Sequence, residues 1–168
     1  MMDIEWKNLE RVLNEFADRF MELARQNLDA NGTNASRNLY DSFEKIVEIG
    51  EDWFKVSVSL ADYWKYVENG RGPGKYPPPG VIRNWIEVKP VTPYAGVDGK
   101  VPSVEQLTFL ISRKIAEEGT EPQPFFEPAR ERAVADYEER IGEAIAQDVR
   151  DYIQRLVDEE MKKAFGRK

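Results

Sequence analysis

Residues 69–80 constrain the fold more than any other part of the chain, because eight of these twelve residues are glycine or proline. Glycine loses the most backbone entropy on ordering, and proline has no N–H to donate. We therefore expect this stretch, called the arm below, to join neither a helix nor a strand ladder. A protruding loop of this kind needs a partner to order it, so we interpret the arm as an interaction surface.

The residues in and near the arm are of types that are favoured where a partner docks, Tyr and Arg above all. Trp85 and the pair Phe125 and Phe126 lie beside two proline-rich segments, where aromatic rings usually fill the core. We expect a core position for Trp85, and for the pair one buried ring and one ring that anchors a neighbour. The candidate interaction residues are Tyr66, Glu68, Gly70, Arg71, Gly74, Lys75, Tyr76, Trp85, Phe125 and Phe126.

Length and composition predict a single folded domain over all 168 residues. The formal net charge of −7 argues against a general phosphate-binding face. We expect that DNA is not bound tightly, although a local basic patch stays open. The first residues lack an uninterrupted apolar run, which excludes a signal peptide, and no segment reaches the length of a membrane span. We expect synthesis and assembly in a cytoplasm, without a membrane partner.

The chain has no cysteine and no histidine. Disulfides, thiolate metal sites and cysteine nucleophiles are therefore excluded, and the commonest general base is missing. Adjacent carboxylates such as Glu138 and Glu139 diverge by about 100° on a helix and do not converge on one substrate. We expect no catalytic residues, no metal and no cofactor, and hence a protein that is not an enzyme.

Apolar spacing predicts an N-terminal helix from Trp6 to about Leu28. Two strands follow at about 42–49 and 53–60, and Gly50-Glu51-Asp52 suits the turn of a hairpin. A short helix is predicted over 81–86, and a turn-rich excursion over 91–101.

Ser103 is a predicted N-cap, with Gln106 in the capping-box position, for a helix that Gly119 ends. A proline-rich joint at 119–128 then leads into a long helix over about 129–165. The predicted fold class is α+β: a small antiparallel sheet packs against the N-terminal helix and the long C-terminal helix, and the arm protrudes.

The arm has three other interpretations: a phosphate-binding loop, which the spacing rejects, and an enzyme lid and a nucleic-acid adaptor, which both remain open. Gly70 to Lys75 fails as a phosphate-binding loop, because Asn69 and Tyr76 stand where that loop needs Gly and Ser or Thr. The arm is alternatively the lid of a cytoplasmic enzyme or regulatory binding protein. A nucleic-acid adaptor that uses Arg71 and Lys75 would show steep salt dependence.

Three short motifs resemble a known family. They are Leu39-Tyr40-Asp41-Ser42-Phe43, Tyr66-Val67-Glu68-Asn69-Gly70 and Pro122-Gln123-Pro124-Phe125-Phe126-Glu127-Pro128-Ala129. In order and spacing they resemble the tail-completion or neck proteins of long-tailed bacteriophages, the gene-product-ten-like tail-component family. The arm is longer here than the Gly-Thr version common in that family.

The resemblance implies a structural part of a phage or prophage virion at the head-to-tail junction. It implies a homo-oligomeric ring, of six copies by the symmetry of such tails, through which DNA passes. The implied partners are further copies of the chain, head-completion proteins, and tail-terminator or tail-tube proteins. A head-to-tail ring repeats one contact, so one arm and one receiving groove suffice.

Overall fold

The computed structural model describes residues 4–32, 37–89, 93 and 99–166. Six helices and two strands occupy these residues in the order α1 (Lys7–Ala30), α2 (Asn38–Asp41), β1 (Glu44–Ile49), β2 (Phe54–Ser59), α3 (Trp64–Asn69), α4 (Pro79–Val88), α5 (Val104–Glu118) and α6 (Phe126–Phe165). The α+β class, the N-terminal helix and the long C-terminal helix are confirmed. Most of the predicted excursion over 91–101 lies outside the described residues.

The chain divides into two compact units, a subdivision that its length does not predict. Unit 1 comprises the chain up to Leu23, the segment Glu44–Ser59, and the chain from Pro128 onward. Unit 2 comprises Ala24–Phe43 and Leu60–Glu127. Both α1 and α6 therefore contribute residues to both units.

In unit 1, α1 packs antiparallel to α6. The ring of Phe16 meets that of Tyr137 edge-on, with centroids 6.0 Å apart, and Arg19 lies 3.5 Å from Asp136. The buried residues of α6 in this unit are small or polar: Ala129, Ala133, Ala144 and Asp148. The larger apolar residues of α6 in this unit, such as Val134, Ile141 and Leu156, are half-buried or exposed. The fully buried positions of α6 are therefore small or polar, and a large residue that contacts α1, such as Tyr137, stays half-buried.

The sheet is the predicted hairpin. β1 and β2 pair antiparallel from Glu44 opposite Ser59 to Ile49 opposite Phe54, and the N–H of Gly50 donates to the carbonyl of Trp53 at 2.8 Å. Lys45 fixes β1 to α1 through a 2.7 Å ion pair with Asp18. The hairpin therefore belongs to the same packed unit as the two long helices.

In unit 2, α5 begins and ends where its sequence predicts. The N–H of Gln106 donates to Ser103 Oγ at 3.3 Å, and the N–H of Ser103 donates to Gln106 Oε1 at 2.9 Å. Gly119 follows the helix with φ 83°. α4 is longer than predicted because Pro79 stands in its first turn, where a missing N–H costs nothing.

Candidate functional site

The first half of the arm is bonded to its own unit. Arg71 and Thr120 exchange both backbone hydrogen bonds, at 3.0 and 2.8 Å, and the N–H of Gly74 donates to the carbonyl of Ala116 at 2.8 Å. The expectation that the arm joins neither a ladder nor a helix is therefore wrong at three places. Asn69 is the last residue of α3, Arg71 forms an antiparallel bridge, and Pro79 and Gly80 belong to α4. Proline is compatible with a first helical turn, and an isolated bridge needs an N–H only at Arg71.

Two glycines make this contact possible. A side chain on Gly70 would overlap the carbonyl oxygen of Thr120, and one on Gly119 would overlap that of Arg71. Both residues also have positive φ, 69° and 83°, which glycine adopts without steric cost. Gly70 is thus required by the backbone approach and is a structural residue of the arm.

Glu68 is buried, with 8% of its surface exposed, which corrects the expectation of an exposed contact residue. Its Oε2 accepts from the N–H groups of Phe125 and Phe126 at 2.7 and 2.8 Å. Its Oε1 accepts from the N–H of Glu127 at 3.1 Å. These N–H groups lie at the start of α6, where the first turn has no acceptor within the helix, and the next residue, Pro128, has no N–H. A carboxylate 57 residues away therefore caps this helix.

Phe125 and Phe126 differ in burial, as predicted. Phe125 is fully buried, and its ring meets that of Phe43 edge-on with centroids 6.4 Å apart. Phe126 is half-buried and stacks on Trp64 at 4.8 Å. Two side-chain amides hold the segment ahead of α6, since Asn27 donates to the carbonyl of Phe125 at 3.0 Å and Asn31 to that of Pro124 at 3.1 Å. The role of Phe126 as an anchor for a neighbour stays a prediction.

The exposed members of the candidate set are aromatic or cationic. Tyr66 is 63% exposed and Tyr76 55% exposed, and Lys75 is also exposed. The guanidinium of Arg71 is half-buried and donates to the carbonyl of Lys75. Trp85 is half-buried, with the ammonium of Lys89 5.2 Å from its ring centroid. The structure thus bonds Glu68 to the Phe125–Phe126 pair and Arg71 to Thr120, and Gly70 lies close to the Thr120 backbone. The rings of Tyr66 and Tyr76 remain exposed.

Sequence reasoning missed a second long-range cap, in unit 1. Asp148 on α6 is 2% exposed, and its carboxylate accepts from the N–H groups of Asn8 and Leu9 at 3.0 and 2.9 Å. The side-chain amide of Asn8 adds a third bond at 2.7 Å. The available signal was an absence: no Ser, Thr, Asp or Asn directly precedes α1 or α6.

The described residues hold no group of three or more acidic, histidine or cysteine side chains placed to bind a metal ion. Burial raises the pKa of the Tyr63 hydroxyl near α3, against a hydrogen bond from the backbone of Leu39 that lowers it. Both oxygens of Glu68 accept from backbone donors.

The helices of the described residues include none that is long and apolar enough to cross a membrane. No protein-family model, curated protein or solved structure matches this chain.

Proposed function

We propose that the protein is a structural component of a bacteriophage or prophage particle, a neck or tail-completion protein at the head-to-tail junction. Copies assemble into a ring, six by resemblance, that contacts head-completion proteins and tail-terminator or tail-tube proteins. DNA passes through the ring without tight binding. The protein is assembled in the cytoplasm of the host, ends in the virion, and needs neither an enzymatic activity nor a cofactor.

One observation carries the proposal: two of the segments that resemble the phage family form one bonded group. Glu68 of Tyr66-Val67-Glu68-Asn69-Gly70 caps the helix that opens within Pro122-Gln123-Pro124-Phe125-Phe126-Glu127-Pro128-Ala129. Gly70 lets the chain approach Thr120 just ahead of that segment. The Glu and the Gly of the first motif therefore each have a physical requirement. The fold thus bonds together two of the motifs on which the resemblance rests, and this supports the proposal.

The state of the arm also supports a docking role. Its base is held by Arg71 and Gly74, whereas Tyr66 and Tyr76 keep their rings exposed. Fixing a loop before binding lowers the entropy that a partner must overcome. Exposed Tyr side chains on such a base are frequent anchors of protein interfaces.

The test separates docking from folding. In the double variant Tyr66→Ala, Tyr76→Ala, both truncated rings are exposed, so the free energy of unfolding should change by less than about 0.5 kcal/mol per site. Phages that carry this variant should accumulate unjoined heads and tails, counted by electron microscopy. Phe109→Ala in α5 is the matched control, because Phe109 is 57% exposed in the same unit and lies outside the arm.

Deletion of the gene tests the class of function. Loss of joined particles, restored by the wild-type chain supplied in trans, is the expected result. Normal joining in the deletion strain would overturn the proposal. Tight, steeply salt-dependent binding of duplex DNA by the free protein would favour the adaptor.

A further inference from the structure

The hairpin leaves the backbone of both its strands open along the outer edges. The N–H of Gly50 donates to the carbonyl of Trp53, and in an antiparallel ladder such hydrogen-bonded pairs alternate with pairs whose backbone groups point outward. In the described parts of the chain, no third strand pairs with the sheet. The register therefore leaves open the N–H and C=O groups of Lys45, Val47 and Ile49 on β1, and of Phe54, Val56 and Val58 on β2.

Neither edge carries the usual protection against further pairing, which is proline, a bulge or a free lysine. Both strands lack proline, and their register runs without a bulge. Each strand has one lysine, and each is paired within its own copy: Lys45 lies 2.7 Å from Asp18, and Lys55 lies 3.6 Å from Glu48. Another strand could therefore extend the sheet without breaking a contact of the single chain.

A cavity of about 430 Å³ adjoins the edge of β1. Val47 and Ile49 line it, together with the half-buried Trp6 and the first turn of α1. Its lining takes residues from β1 and none from β2, so the cavity lies on the side of β1 that faces away from β2. The open backbone of β1 therefore has space for an apolar side chain beside it.

We infer that β2 of one copy adds antiparallel to the open edge of β1 in another copy. The chain supplies both edges, and full overlap of the two six-residue strands leaves one register, with Val47 opposite Val56 of the other copy. Antiparallel addition keeps the apolar residues of both copies on the face where Lys45 reaches α1. No like charges face each other in this register, since Glu48 lies opposite Lys55 of the other copy.

Phe54 supports a second copy as the occupant. Its ring is 46% exposed in the single chain, on the same face of the sheet as Ile49. The register places Phe54 of the added strand directly opposite Ile49, where the cavity lined by Trp6 adjoins the edge. The pairing that satisfies the open backbone groups therefore also brings an exposed ring into an apolar cavity.

The contact is head-to-tail, because each copy uses β1 toward one neighbour and β2 toward the other. Its repetition closes into a ring or grows into a filament. The inference deepens the proposed function by naming a subunit contact, and it rests on that function only in expecting a closed ring.

The absence of native cysteine permits a direct test. Ile46 and Ser57 face each other in the proposed contact, on the face of the sheet opposite Lys45. Copies with Ile46→Cys are mixed with size-tagged copies with Ser57→Cys under mild oxidation, and cross-linked species are identified by mass. Each copy has one thiol, so a disulfide forms only between copies. The matched control mixes Glu44→Cys with Lys55→Cys, which are four residues out of register and about 13 Å apart.

The expected result is a disulfide between the two different variants, with little product from either alone and none from the control mixture. A dominant homodimer of Ile46→Cys or of Ser57→Cys would show that identical strands pair with each other, and this would overturn the inference. No mixed product at the highest soluble protein concentration would also overturn it.

Val56→Pro tests the backbone bonds. The N–H of Val56 points outward, so proline removes an edge donor and leaves the ladder of the hairpin intact. Added to the Ser57→Cys copies, Val56→Pro should lower the cross-linking rate at least about tenfold. Val56→Thr keeps the N–H and is the matched control, with a change of less than about twofold. Unchanged cross-linking in a folded Val56→Pro variant, checked by urea unfolding, would overturn the inference.

Phe54→Ala is a second variant that does not alter the backbone. Loss of the ring should lower the cross-linking rate about tenfold, because its burial in the cavity is lost. Ile153→Ala removes a side chain that is 53% exposed in the same unit, outside the hairpin, and should leave the rate unchanged. Equal rates for Phe54→Ala and the wild-type ring would count against the proposed register.

Phages that carry Val56→Pro separate this contact from the proposed function. Unjoined heads and tails are the expected result. Normal joining in these phages would overturn the contact and leave the function standing. Cross-links in a protein whose gene deletion leaves particles normal would reject the function and leave the contact standing.

Discussion

α5 and α6 begin in opposite ways. α5 is capped by its own neighbours, because Ser103 and Gln106 satisfy each other's backbone donors across three residues. α6 has no capping side chain ahead of it, and Glu68 supplies the acceptor from 57 residues away. α1 repeats the second arrangement, with Asp148 140 residues from Asn8. The same unpaired N–H groups are thus satisfied either locally or through the tertiary fold, and a distant cap also fixes where two segments meet.

The comparison predicts that the distant caps contribute more to stability than the local one. A buried N–H that loses its acceptor cannot turn to water, whereas an exposed one can. The loss of stability on truncating each capping residue should therefore follow the number and the burial of the backbone donors left without an acceptor, with Glu68 first, Asp148 second and Ser103 last.

Glu68→Ala should lower the free energy of unfolding by about 2–4 kcal/mol, because three backbone N–H groups lose their acceptor and the N-terminus of α6 loses a negative charge. Urea unfolding measures the change. Glu68→Gln keeps one acceptor oxygen and should lose about half as much. A loss below about 0.5 kcal/mol for Glu68→Ala would show that the cap is dispensable.

Asp148→Ala should cost about 1–3 kcal/mol, less than Glu68→Ala, because two backbone N–H groups lose their acceptor instead of three. Asp151→Ala is the matched control. It is an exposed carboxylate on the same helix, bonded to Gln147 at 2.7 Å, and its removal should change stability by less than about 0.5 kcal/mol. Equal losses for the two variants would contradict the assignment of Asp148 as a cap.

Much of the fold could be predicted because its signals are local. The helix predicted from Trp6 to about Leu28 is observed as Lys7–Ala30, and the hairpin and the bounds of α5 follow from turn and capping residues. α3, six residues long, was missed because one and a half turns give too little periodicity. The four-residue spacing of Asp151 and Arg155 favours a pair along α6, but Arg155 pairs with Glu5 instead. A competing partner from another element carries no signal in the local sequence.

The candidate site could be predicted only in part, for the same reason. Residue types located Tyr66, Tyr76 and the burial of Phe125. They could not show that Glu68 faces inward, or that Thr120 and Ala116 hold the arm, because these bonds depend on which segments the fold brings together. The glycines of the arm indicated a loop, whereas Gly70 serves a close approach of two backbones.

The local cap gives the smallest effect and the sharpest test of the comparison. Ser103→Ala removes the acceptor for the N–H of Gln106, but Ser103 and Gln106 are exposed, so water takes over the bond. The expected loss is about 0.5–1 kcal/mol. Ser103→Thr keeps the hydroxyl and should lose less than half of that.

Hydrogen exchange provides a local measurement, because Ser103→Ala should speed exchange only in the first turn of α5. In Glu68→Ala, faster exchange should instead extend to the Arg71 and Thr120 amides that the tertiary contact holds. Faster exchange at those amides in Ser103→Ala would remove the distinction between local and distant caps.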